Sequence, residues 1–320
     1  MMKIDAVITW VDGNDPVHMA KRHSYGPSSL FKMDDIAGST RYASVGEIFW
    51  CVASLNRFAP WINKIYIVTD GQDPKLDEFI AGNFLDPIPM EIVDHKDIFK
   101  GHEEFLPTFC SVSIETMTWR IPGLSEHYLE LNDDMMLVAP VQPSDFFTPD
   151  GKSICYADRY SMFWTWVTRQ LKPKKNGKSQ VTFKGLMYNA ARLAGHRHFF
   201  YKIDHTPRAM NRLFYESFYS EHPELIIRNI RHRFRDPDQY TPEVLQYMLL
   251  HDKGLCERRP VRGNLLYLIP KDRPGYIERK LSLLDSGRYR FCCFNSVDQA
   301  STEDLAKIRS WISRRLSLEL

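Results

Sequence analysis

The sequence predicts an α/β protein built on a mostly parallel sheet flanked by helices. Segments rich in apolar, β-branched residues alternate with segments that carry apolar residues at helical spacing. Strands that alternate with helices favour a parallel sheet. The chain has 320 residues, of which 43% are hydrophobic and 26% are charged. This composition is that of an ordinary globular protein with one large domain or two modest ones.

The first half of the chain contains the predicted strands. "IDAVITWV" (4–11) is rich in β-branched residues and ends at the turn "DGNDP", which indicates a buried strand. Residues 45–59 carry apolar residues at helical spacing, and a helix over 108–121 is stopped by Pro122 and Gly123. The other predicted elements are a strand over 62–74, a strand over 90–95 and a strand–turn–strand unit at "LELNDDMMLV" (129–138).

The second half of the chain is less regular. "RQLKPKKNGKSQ" (169–180) is basic and turn-rich, which is typical of a mobile loop or a linker, with a solvated surface loop as the alternative. Helical patterns follow over 208–222 and 241–252, whereas 260–300 is mixed and predicts no order of elements. The predicted organisation is an α/β core (1–168), the basic loop (169–180), a second half (181–300) and a C-terminal amphipathic helix (301–320).

The bulk properties argue against several classes of protein. The formal net charge of +2 gives no overall field that would attract nucleic acid. Six cysteines without a CxxC pair suit a reduced, intracellular protein better than a disulfide scaffold. The N-terminus reaches charged and turn residues too early for a signal peptide, and no run of 18 apolar residues is present. We therefore expect a cytoplasmic protein.

Acidic residues follow several of the predicted strands. In parallel α/β sheets, ligands bind beyond the carboxyl ends of the strands. Asp133 and Asp134 are adjacent, so their side chains point in different directions. Carboxylate oxygens suit Mg²⁺ or Mn²⁺, and the alternative is a β-turn whose carboxylates accept hydrogen bonds from their own backbone. The acidic residues at predicted strand ends are Asp12, Asp15, Asp70, Asp133 and Asp134.

Three further residues complete a candidate site only when they are taken together. Glu115 lies on the helix before the acidic pair, His205 precedes a Thr-Pro step, and Arg235 lies in a charge-rich segment. Each of them alone is better explained as a surface or capping side chain. A carboxylate–metal centre with a histidine and an arginine suits a nucleotide diphosphate, because the cations neutralise phosphate oxygens. The histidine can accept the proton of an attacking hydroxyl.

Several stretches resemble the conserved regions of the Stealth family, the bacterial capsular polysaccharide phosphotransferases. This family is related to the animal lysosomal N-acetylglucosamine-1-phosphotransferase. The resemblance is dense over residues 4–147 and looser over 200–250, and "FCCFN" (291–295) resembles the family's Cys-x-Asn-Asp ending. The stretches that carry it are "IDAVITWVDGNDP", "RYASVGEIFWCVASLNRFAPWINKIYIVTDGQDP", "LPTFCSVSIETMTWRIPGLSEHYLELNDDMML" and "HTPRAM".

The resemblance implies a sugar-1-phosphate transferase with a glycosyltransferase-A-like nucleotide-binding core, whose active site is completed by the second half of the chain. In this chemistry a hydroxyl of a glycan acceptor attacks the β-phosphorus of a UDP-sugar, such as a UDP-N-acetylhexosamine or a UDP-hexose. A phosphodiester forms and UMP leaves. Such a reaction belongs to bacterial capsular or cell-surface polysaccharide synthesis.

The resemblance also implies roles for individual residues. Asp134, with Asp133, would hold Mg²⁺ (or Mn²⁺) on the diphosphate. Arg235 would stabilise charge on the phosphoryl group, and His205 would be the general base. Glu115, which matches the family's "AIE" glutamate, would orient His205 or the acceptor. The residues expected to bind the nucleotide are Trp10, Asp12, Asp15, Asn132 and, near phosphate, Arg41.

The sequence departs from the family pattern at four positions, which leave the donor sugar and the acceptor open. Alternatives to the phosphotransferase are a conventional metal-dependent glycosyltransferase that releases UDP, a non-catalytic nucleotide-sugar-binding relative and a metal-dependent phosphohydrolase. The departures are Ala53 for Arg, Cys110 for Asn, Trp119 for His and Ser296 for Asp.

The C-terminal segment 301–320 predicts a capped amphipathic helix. One interpretation is a helix that lies on anionic lipid at the inner face of the cell membrane. The alternative is a terminal helix packed on its own domain. The apolar residues that fall on one face are Leu305, Ile308, Trp311, Ile312 and Leu316.

Overall fold

The computed structural model describes residues 2–26, 45–171 and 182–318. Arg41 and residues 172–180 of the predicted basic loop lie outside the described residues. Residues 169–171, which the sequence assigns to that loop, are instead the last residues of a helix over Met162–Leu171.

A five-stranded sheet forms the centre of the protein. Its strands, numbered along the chain, are β1 (Ile4–Thr9), β2 (Ile65–Thr69), β3 (Met90–Asp94), β4 (His127–Asn132) and β8 (Arg208–Asn211). The order is β3–β2–β1–β4–β8; the first four strands are parallel, and β8 runs antiparallel to β4. The prediction of a mostly parallel α/β sheet is therefore confirmed.

Helices occur in both halves of the described chain. In the first half they are α1 (Pro16–Tyr25), α2 (Glu47–Phe58), α3 (Asp77–Asn83), α4 (His95–Ile98), α5 (Ser111–Glu115) and α6 (Met162–Leu171). In the second half they are α7 (Phe183–Leu193), α8 (Arg212–Glu221), α9 (Pro223–Ile230), α10 (Pro242–Asp252), α11 (Tyr276–Asp285) and α12 (Thr302–Leu316).

The central sheet is covered by helices on both faces. Every residue of β1 is buried. Because side chains alternate along a strand, Ala6 and Ile8 join one apolar cluster with α2 and α12, whereas Val7 joins another with α7 and α10. A strand buried on both faces is a nearly continuous apolar run, which explains the strong strand signal of this segment.

Two smaller sheets extend the fold. One has the order β10–β11–β5, formed by β10 (Leu265–Leu268), β11 (Phe291–Phe294) and β5 (Met135–Leu137). The other has the order β7–β6–β9, formed by β7 (Phe199–Ile203), β6 (Ser153–Ser161) and β9 (Cys256–Arg259). The segment 260–300, which the sequence leaves unordered, thus supplies β10, α11 and β11. β11 pairs with β5, the strand that follows Asp134.

Two predicted helices are wrong in extent. The helix predicted over 108–121 consists of α5 and a separate 3₁₀ turn at Thr118–Arg120. The helix predicted over 208–222 begins only at Arg212, because the preceding residues pair with β4 as β8. Asn211 caps the true start of that helix, since its Oδ1 accepts a hydrogen bond of 2.8 Å from the backbone N–H of Phe214.

The C-terminal helix α12 packs against its own chain. Ile308, Trp311, Ile312 and Leu316 are buried in the cluster that covers one face of the sheet. The indole N–H of Trp311 donates to Asp285 at 2.9 Å. The apolar face is therefore not available to lipid, which supports the packed alternative. None of the described helices combines the length and apolar composition that a membrane-spanning helix requires.

Candidate active site

Asp134 lies in the tight turn between β4 and β5, and it meets side chains from two distant parts of the chain. Its Oδ2 is 2.9 Å from Nδ1 of His205, which lies in the connection between β7 and β8. The Sγ of Cys293 donates to the same oxygen at 3.2 Å, and the amide of Asn295 donates at 3.4 Å. Four residues from three segments thus form one polar centre, which we call the Asp134 centre.

The two adjacent carboxylates of the turn have opposite electrostatic properties. Burial would raise the pKa of Asp134, but the charge of His205 and the hydrogen bonds that the carboxylate accepts outweigh it and hold the pKa below its usual value. Burial raises the pKa of Asp133 well above its usual value, and the charges of Asp134 and Glu47 add to this effect. Asp134 is therefore the carboxylate that stays ionised without a bound cation.

A hydrogen bond from the backbone of His205 fixes the position of this residue. Its N–H donates to the hydroxyl of Tyr267 at 3.1 Å, and that hydroxyl is 3.3 Å from Asp204. The imidazole also makes an edge contact with the Tyr267 ring, with 5.8 Å between centroids. Because Nδ1 faces Asp134, an ionised Asp134 favours the tautomer with the proton on Nδ1. This leaves the lone pair on Nε2.

A second polar cluster, centred on Arg208, lies at the neighbouring end of β8. Arg208 is only 3% exposed, and its guanidinium is 2.9 Å from Glu243 and 3.6 Å from Glu115. It also donates to Oδ1 of Asn132 at 3.0 Å, and the amide of Asn132 is 3.4 Å from Glu115. Glu115 therefore contacts Arg208 and the first residue of the "NDD" turn, and it contributes to positioning that turn.

The Arg208 cluster holds more acidic groups than basic ones. Glu130, which is 1% exposed, accepts a hydrogen bond of 2.9 Å from Thr118 and interacts electrostatically with Arg208. Burial raises the pKa of Glu243 to about 7, against the opposing effect of Arg208. Burial, followed by the charges of Glu243 and Glu115, also raises the pKa of Glu130 well above its usual value. The positive charge of Arg208 opposes this effect of burial and stabilises the ionised form of both carboxyl groups.

Arg235 contacts the helix that carries Glu115. Its guanidinium donates to Oγ of Ser111, the first residue of α5, at 3.2 Å and lies 5.6 Å from the ring centroid of Phe183. The structure thus brings His205 to Asp134, whereas it holds Arg235 at the opposite end of the helix that ends at Glu115.

The residues expected near the nucleotide have local structural contacts. Trp10 is 8% exposed. Asp12 exchanges backbone hydrogen bonds of 2.9 and 3.0 Å with the side chain of Gln72. Asp15 caps α1 by accepting from the N–H of His18 at 2.7 Å. Asp70 accepts a hydrogen bond of 3.1 Å from Lys21.

His95 is a buried histidine at the carboxyl end of β3. It is 1% exposed, and neither ring nitrogen has a hydrogen-bond partner among the described residues. Burial lowers its pKa to about 4, because the attraction of Asp70 and Asp94 offsets only part of the desolvation. The unfolded chain binds this proton near pH 6.5, so stability is full above that pH and decreases as the pH falls towards 4.

We expect His95 to contribute up to about 3 kcal/mol to the loss of stability between pH 6.5 and 4. The variant His95→Gln should show a smaller decrease over this range. Urea unfolding at several pH values measures the difference, with the exposed His198→Gln as the matched control. Equal pH dependence in wild type and His95→Gln would contradict a neutral, buried His95.

Sequence reasoning missed part of both clusters. Arg208 stands in the quoted "HTPRAM" and Cys293 and Asn295 stand in "FCCFN", so the motifs contained them without indicating their contacts. Glu243 follows Thr241-Pro242, a pattern that predicts a helix start, and its acidic side chain fitted an exposed first turn. Burial of Glu243 had no signal in the sequence.

The departures from the family pattern are accommodated structurally. Cys110 is buried and donates from Sγ to Gln239 at 3.4 Å. Trp119 stacks on Tyr219 with 6.0 Å between centroids, and Ala53 is buried in α2. Ser296 donates to Oδ1 of Asn295 at 3.0 Å, so it orients a residue of the Asp134 centre.

Both polar clusters lie at the carboxyl ends of the central strands. This is the place where α/β proteins bind their ligands, so fold and site together define a ligand-binding or catalytic α/β protein. The family model for Stealth protein CR1, conserved region 1, matches residues 2–30, and that for Stealth protein CR2, conserved region 2, matches residues 41–155.

Characterised proteins with similar sequences extend the match over the whole chain. The capsular polysaccharide phosphotransferase WcwK of Streptococcus pneumoniae is 30% identical over 95% of this chain and 93% of its own length. The receptor polysaccharide phosphotransferase WefC of Streptococcus oralis is 30% identical over 100% of both chains. The chain belongs to the Stealth family. Among solved structures, an active-site mutant of LgtC aligns with a TM-score of 0.49 and 13% identity, over 99% of this chain and 96% of that chain.

Proposed function

We propose that the protein transfers a sugar-1-phosphate from a UDP-sugar to a hydroxyl of a glycan acceptor and releases UMP. Relatives of nearly the same length are named polysaccharide phosphotransferases, which supports the reaction class. The observation that carries the proposal is the contact between His205 and Asp134, 2.9 Å long, at the carboxyl end of the sheet. It pairs a base with an ionised group that orients it.

His205 acts as the general base through Nε2. Asp134 accepts a hydrogen bond from the Nδ1–H group and thereby keeps the lone pair on the other nitrogen. The acceptor hydroxyl gives its proton to Nε2 while its oxygen bonds to the β-phosphorus of the UDP-sugar. The bond from that phosphorus to the oxygen bridging the two phosphates breaks, and UMP leaves with the bonding electrons. The bond between the sugar and its phosphate stays intact.

The acidic turn fits a hard divalent cation. Mg²⁺ and Mn²⁺ take oxygen ligands, and Mg²⁺ is commonly held by one or two carboxylates together with substrate phosphates. Asp133 and Asp134 would hold the ion, which when bound supplies positive charge to the diphosphate. Asp133, with its raised pKa, gives up its proton more easily when a cation is present.

Other residues bind and orient the substrates. Arg235 stabilises charge on the transferred phosphoryl group from its position beside Ser111. Glu115 acts with Arg208 to hold Asn132 and the following acidic residues. Trp10, Asp12, Asp15 and Arg41 bind the nucleotide.

A product analysis tests the proposal. The protein is incubated with Mg²⁺, a glycan acceptor and each of several UDP-hexoses and UDP-N-acetylhexosamines, and the released nucleotide is identified by mass spectrometry. We expect UMP and an acceptor whose mass has increased by one sugar phosphate, with both absent for Asp134→Ala. Release of UDP would instead mean hexosyl transfer. The absence of turnover with every donor would favour a non-catalytic relative.

A further inference from the structure

The Asp134 centre contains a thiol and an imidazole that a magnesium site does not require. The carboxylate of Asp134, Nδ1 of His205 and Sγ of Cys293 all lie within 4.8 Å of one another. Mg²⁺ selects oxygen ligands, whereas carboxylate, imidazole and thiolate together suit Zn²⁺ and similar borderline metals. The donor set therefore points beyond the cation of the proposed reaction.

The distances are close to those of a zinc site. Tetrahedral zinc with ordinary bond lengths holds neighbouring ligand atoms about 3.3–3.6 Å apart. In the structure, Oδ2 of Asp134 is 2.9 Å from His205 Nδ1 and 3.2 Å from Cys293 Sγ. These contacts are hydrogen bonds, and they need to lengthen by only about 0.3–0.4 Å to admit the ion.

The surroundings allow an ion to enter and keep the ligands in place. The side chains of His205 and Asp134 are 30% and 17% exposed, whereas Cys293 is fully buried behind them. Cys293 lies on β11, which pairs with β5 immediately after Asp134, so the backbone fixes the thiol beside the carboxylate. His205 is held by Tyr267 through its backbone. A cation would enter from the Asp134–His205 side and meet the thiol at the base.

We propose that Asp134, His205 and Cys293 form a binding site for a thiophilic divalent cation of the zinc type, whose occupation switches off the proposed phosphotransfer. Binding forms metal–oxygen, metal–nitrogen and metal–sulfur bonds; the thiol proton leaves to solvent, and the imidazole proton moves from Nδ1 to Nε2. Three protein ligands leave a fourth position for water or an anion.

The inhibitory effect rests on the proposed function of His205. A metal on Nδ1 requires the remaining proton of the neutral imidazole to be on Nε2. That nitrogen then has no lone pair for the proton of the acceptor hydroxyl. The same ion also occupies Asp134, which in the proposed reaction holds Mg²⁺. Zn²⁺ therefore removes both the base and the magnesium ligand.

Cobalt spectroscopy of the full chain tests the metal site without any assay of activity. Co²⁺ replaces zinc in tetrahedral sites, and a cobalt–thiolate bond gives a charge-transfer band in the near ultraviolet. We expect one equivalent of Co²⁺ to produce this band, and we expect Zn²⁺ but not excess Mg²⁺ to abolish it. The band should be lost in Cys293→Ala and kept in Cys292→Ala, which changes the neighbouring cysteine on the same strand.

The outcomes separate the metal site from the proposed function. No thiolate band in the wild type, or an unchanged band in a folded Cys293→Ala, would overturn the site. Thermal unfolding establishes that each variant is folded, and Cys293→Ser provides a second variant that keeps the size of the side chain. In the activity assay, Zn²⁺ should inhibit UMP release in the presence of excess Mg²⁺. The affinity for the inhibitory Zn²⁺ should be at least about tenfold lower in Cys293→Ala than in wild type. A cobalt band without any UMP release with any donor would keep the metal site and reject the phosphotransferase.

Discussion

Replacing His205 with alanine should lower kcat for UMP release by about 10²–10⁴-fold, because the acceptor hydroxyl loses the group that takes its proton. His205 is positioned by contacts at both its side chain and its backbone. Asp134 does not replace the imidazole in the proposed reaction, because its carboxylate holds the cation. The measurement is steady-state release of UMP with the donor that gives the highest rate.

A second histidine variant provides the control. The exposed His198→Ala should keep the wild-type rate. A folded His205→Ala with a turnover close to that of wild type would refute the assignment of the base.

Replacing Arg208 with methionine should destabilise the protein by about 3–5 kcal/mol, because it leaves buried carboxyl groups without their cation. Arg208 is 3% exposed, and its partners Glu115 and Glu243 are 4% and 0% exposed. Methionine keeps much of the volume and the unbranched shape, so the loss of charge accounts for most of the change. Urea unfolding at pH 7 measures this difference.

Two controls separate a charge effect from a packing effect. Arg212→Met removes a guanidinium that is 30% exposed and pairs with Glu216, and it should change stability by less than about 1 kcal/mol. The double variant Arg208→Met/Glu243→Gln should be more stable than Arg208→Met alone, because it removes one of the uncompensated carboxylates. The stability lost by the double variant is compared with the sum of the losses of the single variants Arg208→Met and Glu243→Gln. If the two values are equal, Arg208 and Glu243 do not interact as the 2.9 Å contact indicates.

The parallel core was predictable because its physical cause is local in the sequence. β1 is buried on both faces and therefore appears as a continuous apolar run. The turn at Asp133 and Asp134 was found for the same reason, because two charges interrupt two strands that are otherwise mostly buried. The rule that ligands bind at the carboxyl ends of strands then indicated this turn as the candidate site.

The partners of these residues were not predictable by the same means. The residue type alone does not distinguish a buried arginine such as Arg208, or a buried glutamate such as Glu243, from an exposed one. Only the tertiary contacts make this distinction. The pairing of β11 with β5 joins residues far apart in the chain and has no signature in either strand alone. The 208–222 helix was predicted too long because pairing with β4 outweighs the local helical pattern at Arg208.

The antiparallel pairing of β5 with β11 has a consequence for biosynthesis. Cys293 and Asp134 are separated by 159 positions, and β11, which carries the thiol, is synthesised after the four parallel strands of the central sheet. The four parallel strands of the sheet are synthesised long before it and can pair earlier, whereas the polar centre beside them cannot close. A nascent chain can therefore form the parallel part of the sheet before the Asp134 centre is assembled, so the proposed turnover requires translation to proceed beyond β11.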